Sequence, residues 1–441
     1  MSVSSKTKFS IMATFSIPAL PNREIQGIFS NIPNEGFFLE LYDLPLNSGS
    51  HFFAPLICGT KKDAPHAFTL INVGAFESNI SLSKAIGEVG KGIGRSVTKC
   101  RVEFCIFGIH YTKPEDLLFD KMKINFSNFR EWINKPTITE NRFTEKVDEI
   151  KINHLEDIVG SLDDKFDFSI EFSNNGSYPS KDGEFEIHIS QSVLFCINTK
   201  ENQLCTLDEF FTLCRIIKAF FMFIQKGYVI EEDIWFSNSE KDFSGKFLVH
   251  SHHLAKIPSL KNKDFKFPYS RISLKFEKLL QKWIIKYKEM PLFFNSFFEN
   301  IVKDNLSPED KFENFIQSLL FYHNYRFTEN KWKTENYAKF IEDMKAKLNE
   351  EEKSFIEKIR GQGNFIGMLE QIKRILKQME PYKSLSTLDN YVKEILSIRV
   401  TLSHSKIFQE PNFYQKLVGM TFNLNSILTN LIMFELDYDN Q

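Results

Sequence analysis

Ser307-Pro308-Glu309-Asp310-Lys311-Phe312-Glu313-Asn314-Phe315-Ile316-Gln317-Ser318-Leu319-Leu320-Phe321-Tyr322-His323 reads as a helix from its first residue. Ser307 suits the N-cap, Pro308 the first helical position, and Asp310 completes a capping box. Phe312, Phe315, Ile316, Leu319, Leu320 and His323 then fall on one face. Downstream the same period continues. Helices are expected over about Glu335–Leu348, Glu351–Arg360 and Phe365–Met379, broken by Gly361 and Gly363 and then by Pro381. Ser386 and Asp389 cap a further helix running to about Ser403. Pro411 precedes a last one, about Asn412–Leu436. Upstream, Ile272–Glu289 is helical, with Ser270 as its cap.

Before residue 265 the pattern is different. Phe37–Leu44, Cys100–Phe107, Lys165–Phe172 and Glu184–Ser190 alternate in polarity as strands do, and Tyr228–Phe236 and Lys246–His250 follow them. One helix interrupts the strands. Thr206 and Glu209 form a capping box, Phe210, Leu213, Ile217, Phe220, Phe221 and Ile224 recur at helical spacing, and Lys226-Gly227 closes it. The expected fold class is therefore α+β: a β-rich N-terminal domain over 1–265 and an all-α domain over 266–441.

Composition narrows the function. The 441 residues carry 55 Lys and Arg against 57 Asp and Glu, a net charge of −2, which excludes a polybasic nucleic-acid coat. Hydrophobic residues make up 42% and charged residues 25%, which excludes a disordered chain. Six cysteines at 58, 100, 105, 196, 205 and 214 include no C-x-x-C and no zinc-site spacing. They read as reduced, apolar residues in a cytoplasmic setting. Phe9–Leu20 follows Lys6 and Lys8 but alternates as a strand, unlike a signal peptide. Val418–Leu436 is apolar, yet Asn423, Asn425, Ser426 and Asn430 mark it as a core helix, and no membrane association is expected.

Several motifs fail their chemistry. Gly87–Ser96 is glycine-rich, but Lys91 is followed by Gly92 where a phosphate loop needs Ser or Thr. His250-Ser251-His252-His253 has no carboxylate or cysteine at ligand spacing, and reads as a polar strand end. No G-x-S-x-G or H-E-x-x-H is present. No metal or cofactor is called for.

The segment with a chemical reading is Ile395-Leu396-Ser397-Ile398-Arg399-Val400-Thr401-Leu402-Ser403-His404-Ser405-Lys406. On one straight helix Arg399 and His404 diverge by about 140°. They converge only if the helix ends or bends, or if a second copy supplies one of them. Such a pair suits cleavage of an RNA phosphodiester: His404 moves a proton at neutral pH, and Arg399 holds phosphate oxygens. By spacing alone a surface arginine and a helix-terminal histidine that suits the dipole fit better.

The chain resembles the HEPN superfamily, and more closely its ApeA-like branch of bacterial anti-phage abortive-infection proteins. Arg399 and His404 fit the superfamily's Arg-to-His signature, and Lys311–His323 looks like the branch's long early helix. Ile25-Gln26-Gly27-Ile28-Phe29, Phe38-Leu39-Glu40-Leu41 and Phe126-Ser127-Asn128-Phe129-Arg130-Glu131-Trp132 resemble the branch's β-rich domain. The resemblance covers nearly the whole chain. It implies a metal-independent endoribonuclease with Arg399 and His404 as catalytic residues, acting on RNA, with tRNA favoured. It also implies a homodimer through the helical domain and an N-terminal domain that senses or restrains, with a phage-derived trigger as a candidate partner. Two positions depart from the pattern: Val400 stands where a polar residue is common, and Leu320 where a Glu is common. Ser403, Thr401 or His323 would then supply hydrogen bonds to the site. His323 also reads simply as a core histidine. The alternative function is a catalytically inactive helical domain that binds RNA or protein.

Overall fold

Phe9, Ile11, Ala13 and Phe15 are buried, while Ser10, Met12 and Ser16 between them are exposed. This alternation is what strand geometry makes of such a sequence. The computed structural model describes residues 7–18, 20, 23–33, 35–44, 52–61, 67–78, 97–141, 149–177, 180–181, 184–185, 188–249, 257–303, 305–327, 334–363, 367–379, 382, 387–403 and 412–438. Within it β1 (Phe9–Ser16), β2 (Glu24–Ile32), β3 (Gly36–Tyr42), β4 (Phe53–Lys61), β5 (Ala67–Ser78) and β6 (Val97–Phe107) pair antiparallel. The order β1-β2-β3-β6-β5-β4 returns to β1, so these strands close into a barrel. Closure leaves no unpaired edge. The interior is aromatic: Phe68 stacks on Phe29 with centroids 5.7 Å apart and meets Phe15 edge-on at 5.9 Å. Gly59 makes room for it, since a Cβ there would lie 2.3 Å from the Phe68 ring.

Twelve further strands follow: β7 (Leu118–Phe119), β8 (Lys121–Phe126), β9 (Ile138–Asn141), β10 (Glu149–Ile152), β11 (Ile158–Ser161), β12 (Phe166–Ser177), β13 (Ser180–Lys181), β14 (Glu184–Phe185), β15 (His188–Thr199), β16 (Cys205–Thr206), β17 (Glu231–Asn238) and β18 (Phe243–Val249). From Phe104 to Ile106, β6 also pairs with β18, which extends the sheet as β18-β17-β8-β15-β12-β11. The expected strand Glu184–Ser190 is in fact split between β14 and the start of β15. Tyr228–Phe236 becomes a strand only from Glu231.

Helices α1 (Phe129–Ile133) and α2 (Leu207–Gln225) belong to this region. The Thr206 capping box is present, with Glu209 Oε2 accepting the Thr206 N–H at 2.9 Å. Phe221 packs against Phe126 and Phe195, and Phe210 against Phe236, so α2 covers one face of the extended sheet. The helix ends with Lys226, not Gly227, in the left-handed conformation (φ 52°). The Phe126–Trp132 motif is structural. Phe126, Phe129 and Trp132 are buried, and Asn128 Oδ1 accepts the Leu260 N–H at 3.1 Å.

The chain divides into compact units Met1–Gln281 and Lys282–Gln441. Strand alternation does stop near residue 265, but the segment after it stays with the first unit. Trp132 packs on Tyr269 and Phe276, and its Nε1 donates to Phe267 O at 2.7 Å. Glu277 accepts the Ser161 N–H at 2.8 Å, and Gln281 donates to Ser161 O at 2.9 Å, which satisfies the edge of β11. The helix expected over Ile272–Glu289 is two pieces, α3 (Tyr269–Ile272) and α4 (Phe276–Glu289). Ser270 lies inside α3 and does not cap α4.

The second unit holds the rest of α4 and α5 (Pro291–Val302), α6 (Pro308–Arg326), α7 (Thr334–Lys345), α8 (Glu350–Gly363), α9 (Met368–Leu376), α10 (Leu388–Ser403) and α11 (Phe413–Glu435). Ser307 caps α6: its Oγ accepts the Asp310 N–H at 3.1 Å and donates to Asp310 Oδ2 at 3.0 Å. The carboxylate is thereby engaged by the cap hydroxyl. The buried face is Phe312, Phe315, Ile316, Ser318, Leu319, Tyr322 and His323, with Leu320 at its half-buried margin. Gly361 and Gly363, expected to break a helix, stand in the last turn of α8. Phe365, Pro381, Ser386 and Pro411 lie outside the described residues. The α11 helix is long and apolar enough to cross a membrane by length and composition. Leu417, Leu424, Ile427, Leu428 and Leu431 are buried, however, and Asn423, Asn425, Ser426 and Asn430 take the exposed side.

Candidate functional site

Leu388, Val392, Ile395 and Ile398 recur at helical spacing and bury one face of α10. Arg399 follows at the margin of that face, and its side chain is 27% exposed. Its Nε donates to Glu313 Oε2 on α6 at 3.1 Å, and its Nη1 donates to Met368 Sδ at the start of α9 at 2.7 Å. A guanidinium has five N–H donors, and a thioether is a weak acceptor. Glu313 therefore fixes the plane of the fork, while the Nη donors remain open to a stronger acceptor such as a phosphate oxygen. Sequence reasoning missed Glu313. The two residues are 86 positions apart, and nothing in the local spacing links them; Glu313 is simply the residue after the buried Phe312.

The other expected site residues are distributed differently. Ser403 is exposed one turn beyond Arg399, and its hydroxyl donates to Arg399 O at 2.9 Å, closing on its own helix. Thr401 is half-buried, two steps of about 100° around α10 from Arg399. The α10 helix runs through Ser403. His404 lies outside the described residues. Val400 is 55% exposed and takes no part in the Arg399–Glu313 pair.

His323 is not brought to Arg399. It lies ten residues beyond Glu313 on α6, about 15 Å along the axis. It is fully buried, and its ring stacks on Phe327 with centroids 4.7 Å apart. Among the described residues neither ring nitrogen finds a hydrogen-bond partner. Burial holds its pKa below the ordinary histidine value, which keeps the ring neutral. These are the properties of a core histidine.

All six cysteines are buried and free. Burial pushes the Cys100 and Cys196 thiols up to about 12, so neither offers a thiolate at neutral pH. Among the described residues no group of three or more His, Cys, Asp or Glu is placed to hold a metal. Gly87–Ser96 and His250–His253 lie outside the described residues.

A family model described as ApeA N-terminal domain 1 matches residues 10–283, which is more than half of the chain. No curated protein and no solved structure matches. The matched span takes in the barrel, the extended sheet, α2 and the first turns of α4, so it coincides with the β-rich unit and does not reach Arg399. By that match the chain belongs to the ApeA N-terminal domain 1 family and is an ApeA-like anti-phage defence protein.

Proposed function

We propose that the chain is a metal-independent endoribonuclease of the HEPN type that cleaves cellular RNA, with tRNA the favoured substrate, as a cytoplasmic abortive-infection effector. The observation that carries this reading is the Arg399 guanidinium, fixed in orientation by Glu313 with donors left over, a few residues before His404. Arg399 binds the scissile phosphate and offsets the charge that builds there. His404 takes the proton from the 2′-OH or returns one to the leaving 5′-oxygen. The 2′-OH attacks phosphorus, the 5′-oxygen leaves, and the products carry a 2′,3′-cyclic phosphate and a 5′-OH.

A homodimer through the helical domain would bring two such sites together. Support for it comes from α11, where Tyr414, Val418 and Phe422 recur every fourth residue and are 56%, 44% and 70% exposed. The β-rich unit is the natural place for a phage-derived trigger to act. The test is end-group analysis of RNA cleaved by the purified full chain with EDTA present. The reading requires 2′,3′-cyclic phosphate and 5′-OH ends, resistance of DNA and of 2′-O-methyl RNA, and loss of cleavage in Arg399→Ala and His404→Ala. Ends carrying 5′-phosphate, or activity lost to the chelator, would remove these roles.

One observation favours the second reading, an inactive helical domain that binds RNA or protein. The same Glu313 carboxylate neutralises Arg399, and an arginine so paired also serves as a strut between two helices. Toxicity on overexpression separates the two: the inactive reading expects wild type and His404→Ala to behave alike.

A further inference from the structure

Arg399 has a second neighbour besides Glu313. Met368 opens α9, and its Sδ accepts the Arg399 Nη1 hydrogen at 2.7 Å. Met368 is half-buried. Gly367 before it is exposed, and a Cβ there would meet nothing within 4 Å, so open space lies beside the first turn of α9. The Met368 side chain thus combines contact with the guanidinium and contact with solvent.

The rest of the chain's sulfur is mostly shielded. All six thiols are buried, and burial raises the pKa of each, so none offers a thiolate at neutral pH. Met122, Met222, Met290, Met379 and Met420 are buried as well, whereas Met12 is 55% exposed and Met344, Met368 and Met433 are half-buried. An oxidant that attacks sulfur therefore meets these few thioethers first. Among the described residues Met368 is the one of them that touches Arg399.

We propose that Met368 is an oxidation site and that its sulfoxide captures Arg399. The oxidant is a hydroperoxide. The sulfur lone pair attacks one peroxide oxygen, an S–O bond forms and the O–O bond breaks. The departing hydroxide or alkoxide takes the proton left on the transferred oxygen and leaves as water or alcohol. Sulfur loses two electrons and the peroxide gains them. A thioether is a weak acceptor and yields Nη1 to a phosphate, whereas a sulfoxide is polar and its oxygen accepts strongly. Methionine is flexible enough to turn the new oxygen onto the guanidinium. The resulting bond is charge-assisted and occupies a donor that a phosphate would use. Methionine sulfoxide reductases return the thioether, so the capture is reversible. The capture itself concerns Met368 and Arg399 alone; its effect on RNA cleavage rests on the ribonuclease reading.

The test treats the full chain, isotope-labelled at arginine, with hydrogen peroxide. Peptide mass spectrometry measures sulfoxide at Met368, with the exposed Met12 as benchmark for the peroxide dose. NMR reads the Nε–H signal of Arg399, identified by its loss in Arg399→Lys. The expected result is sulfoxide at Met368, displacement of the Arg399 signal and about a tenfold or greater loss of RNA cleavage, all reversed by a methionine sulfoxide reductase. Met368→Leu keeps the bulk and cannot take the oxygen, so it should hold its own signal position and its own cleavage rate through the same treatment. Met368 left intact at a dose that converts Met12, an Arg399 signal unmoved by the sulfoxide, cleavage unchanged with Met368 fully oxidised, or an equal loss in Met368→Leu would overturn the proposal. An untreated chain that cleaves no RNA would remove the ribonuclease reading, and the Arg399 signal would still decide the capture.

Discussion

Glu313 accepts the Arg399 Nε hydrogen at 3.1 Å and so ties α6 to α10 at the residue whose chemistry matters most to the proposed site. A carboxylate in that position orients the guanidinium without using its Nη donors. Arg399→Lys should therefore lose about a hundredfold or more in cleavage rate, because an ammonium cannot present a planar fork. Glu313→Gln should lose about tenfold, as removal of an orienting group does. The check is single-turnover cleavage at saturating RNA. If Glu313→Gln were faster than wild type, the ion pair would be a brake on Arg399 and not its guide.

On α11 the exposed Tyr414, Val418 and Phe422 share one side of the helix. If that side joins two copies, Phe422→Glu places a charge in an apolar interface and should shift the full chain from dimer to monomer. Sedimentation velocity at micromolar concentration reads this directly, and an active wild-type monomer would exclude the composite site.

Tyr322 is fully buried and donates to Glu435 Oε1 at 2.8 Å, while Lys286 Nζ lies 3.3 Å from Glu435 Oε2. Burial, then the nearby Glu435 carboxylate, push the tyrosine pKa well above its ordinary value, so the hydroxyl keeps its proton and remains a donor. Tyr322→Phe strands one oxygen of a buried carboxylate and should destabilise the helical unit by about 1–3 kcal/mol. Urea unfolding followed by circular dichroism measures it.

Lys266 gives a pH signature. Burial, and secondarily the charge of Lys226, lower it to about 8. Its ammonium lies 4.9 Å and 5.2 Å from the Phe223 and Phe267 rings. The unfolded lysine titrates near 10.4. The folded state thus binds this proton less tightly, and the penalty for charging it is in full force below about pH 8 and fades as pH rises toward 10.4. Lys266→Met should be more stable than wild type at pH 7 by about 1 kcal/mol. That advantage should shrink at pH 10, as paired unfolding curves at the two pH values will show. An advantage that grew with pH would mean that the aromatic rings favour the cation more than burial opposes it.

Local patterns were legible in the sequence because their causes are local. The alternation of Phe9 to Ser16 reflects a strand that buries one face, and the Thr206 and Ser307 caps are hydrogen bonds between residues three apart. What tertiary structure decided involves residues whose partners lie far along the chain. The unit boundary at Gln281 is set by Trp132 packing on Tyr269 and Phe276, and by Glu277 and Gln281 satisfying Ser161. The pairing of β6 with β3 and β5, which closes the barrel, and with β18, which extends the sheet beyond it, depends on register between distant segments. His323 belongs to the core because α6 buries it completely against Phe327, about 15 Å along the axis from Glu313. Glu313 reaches Arg399 because α9 packs against both α6 and α10, and so brings together two half-buried side chains that no periodicity relates.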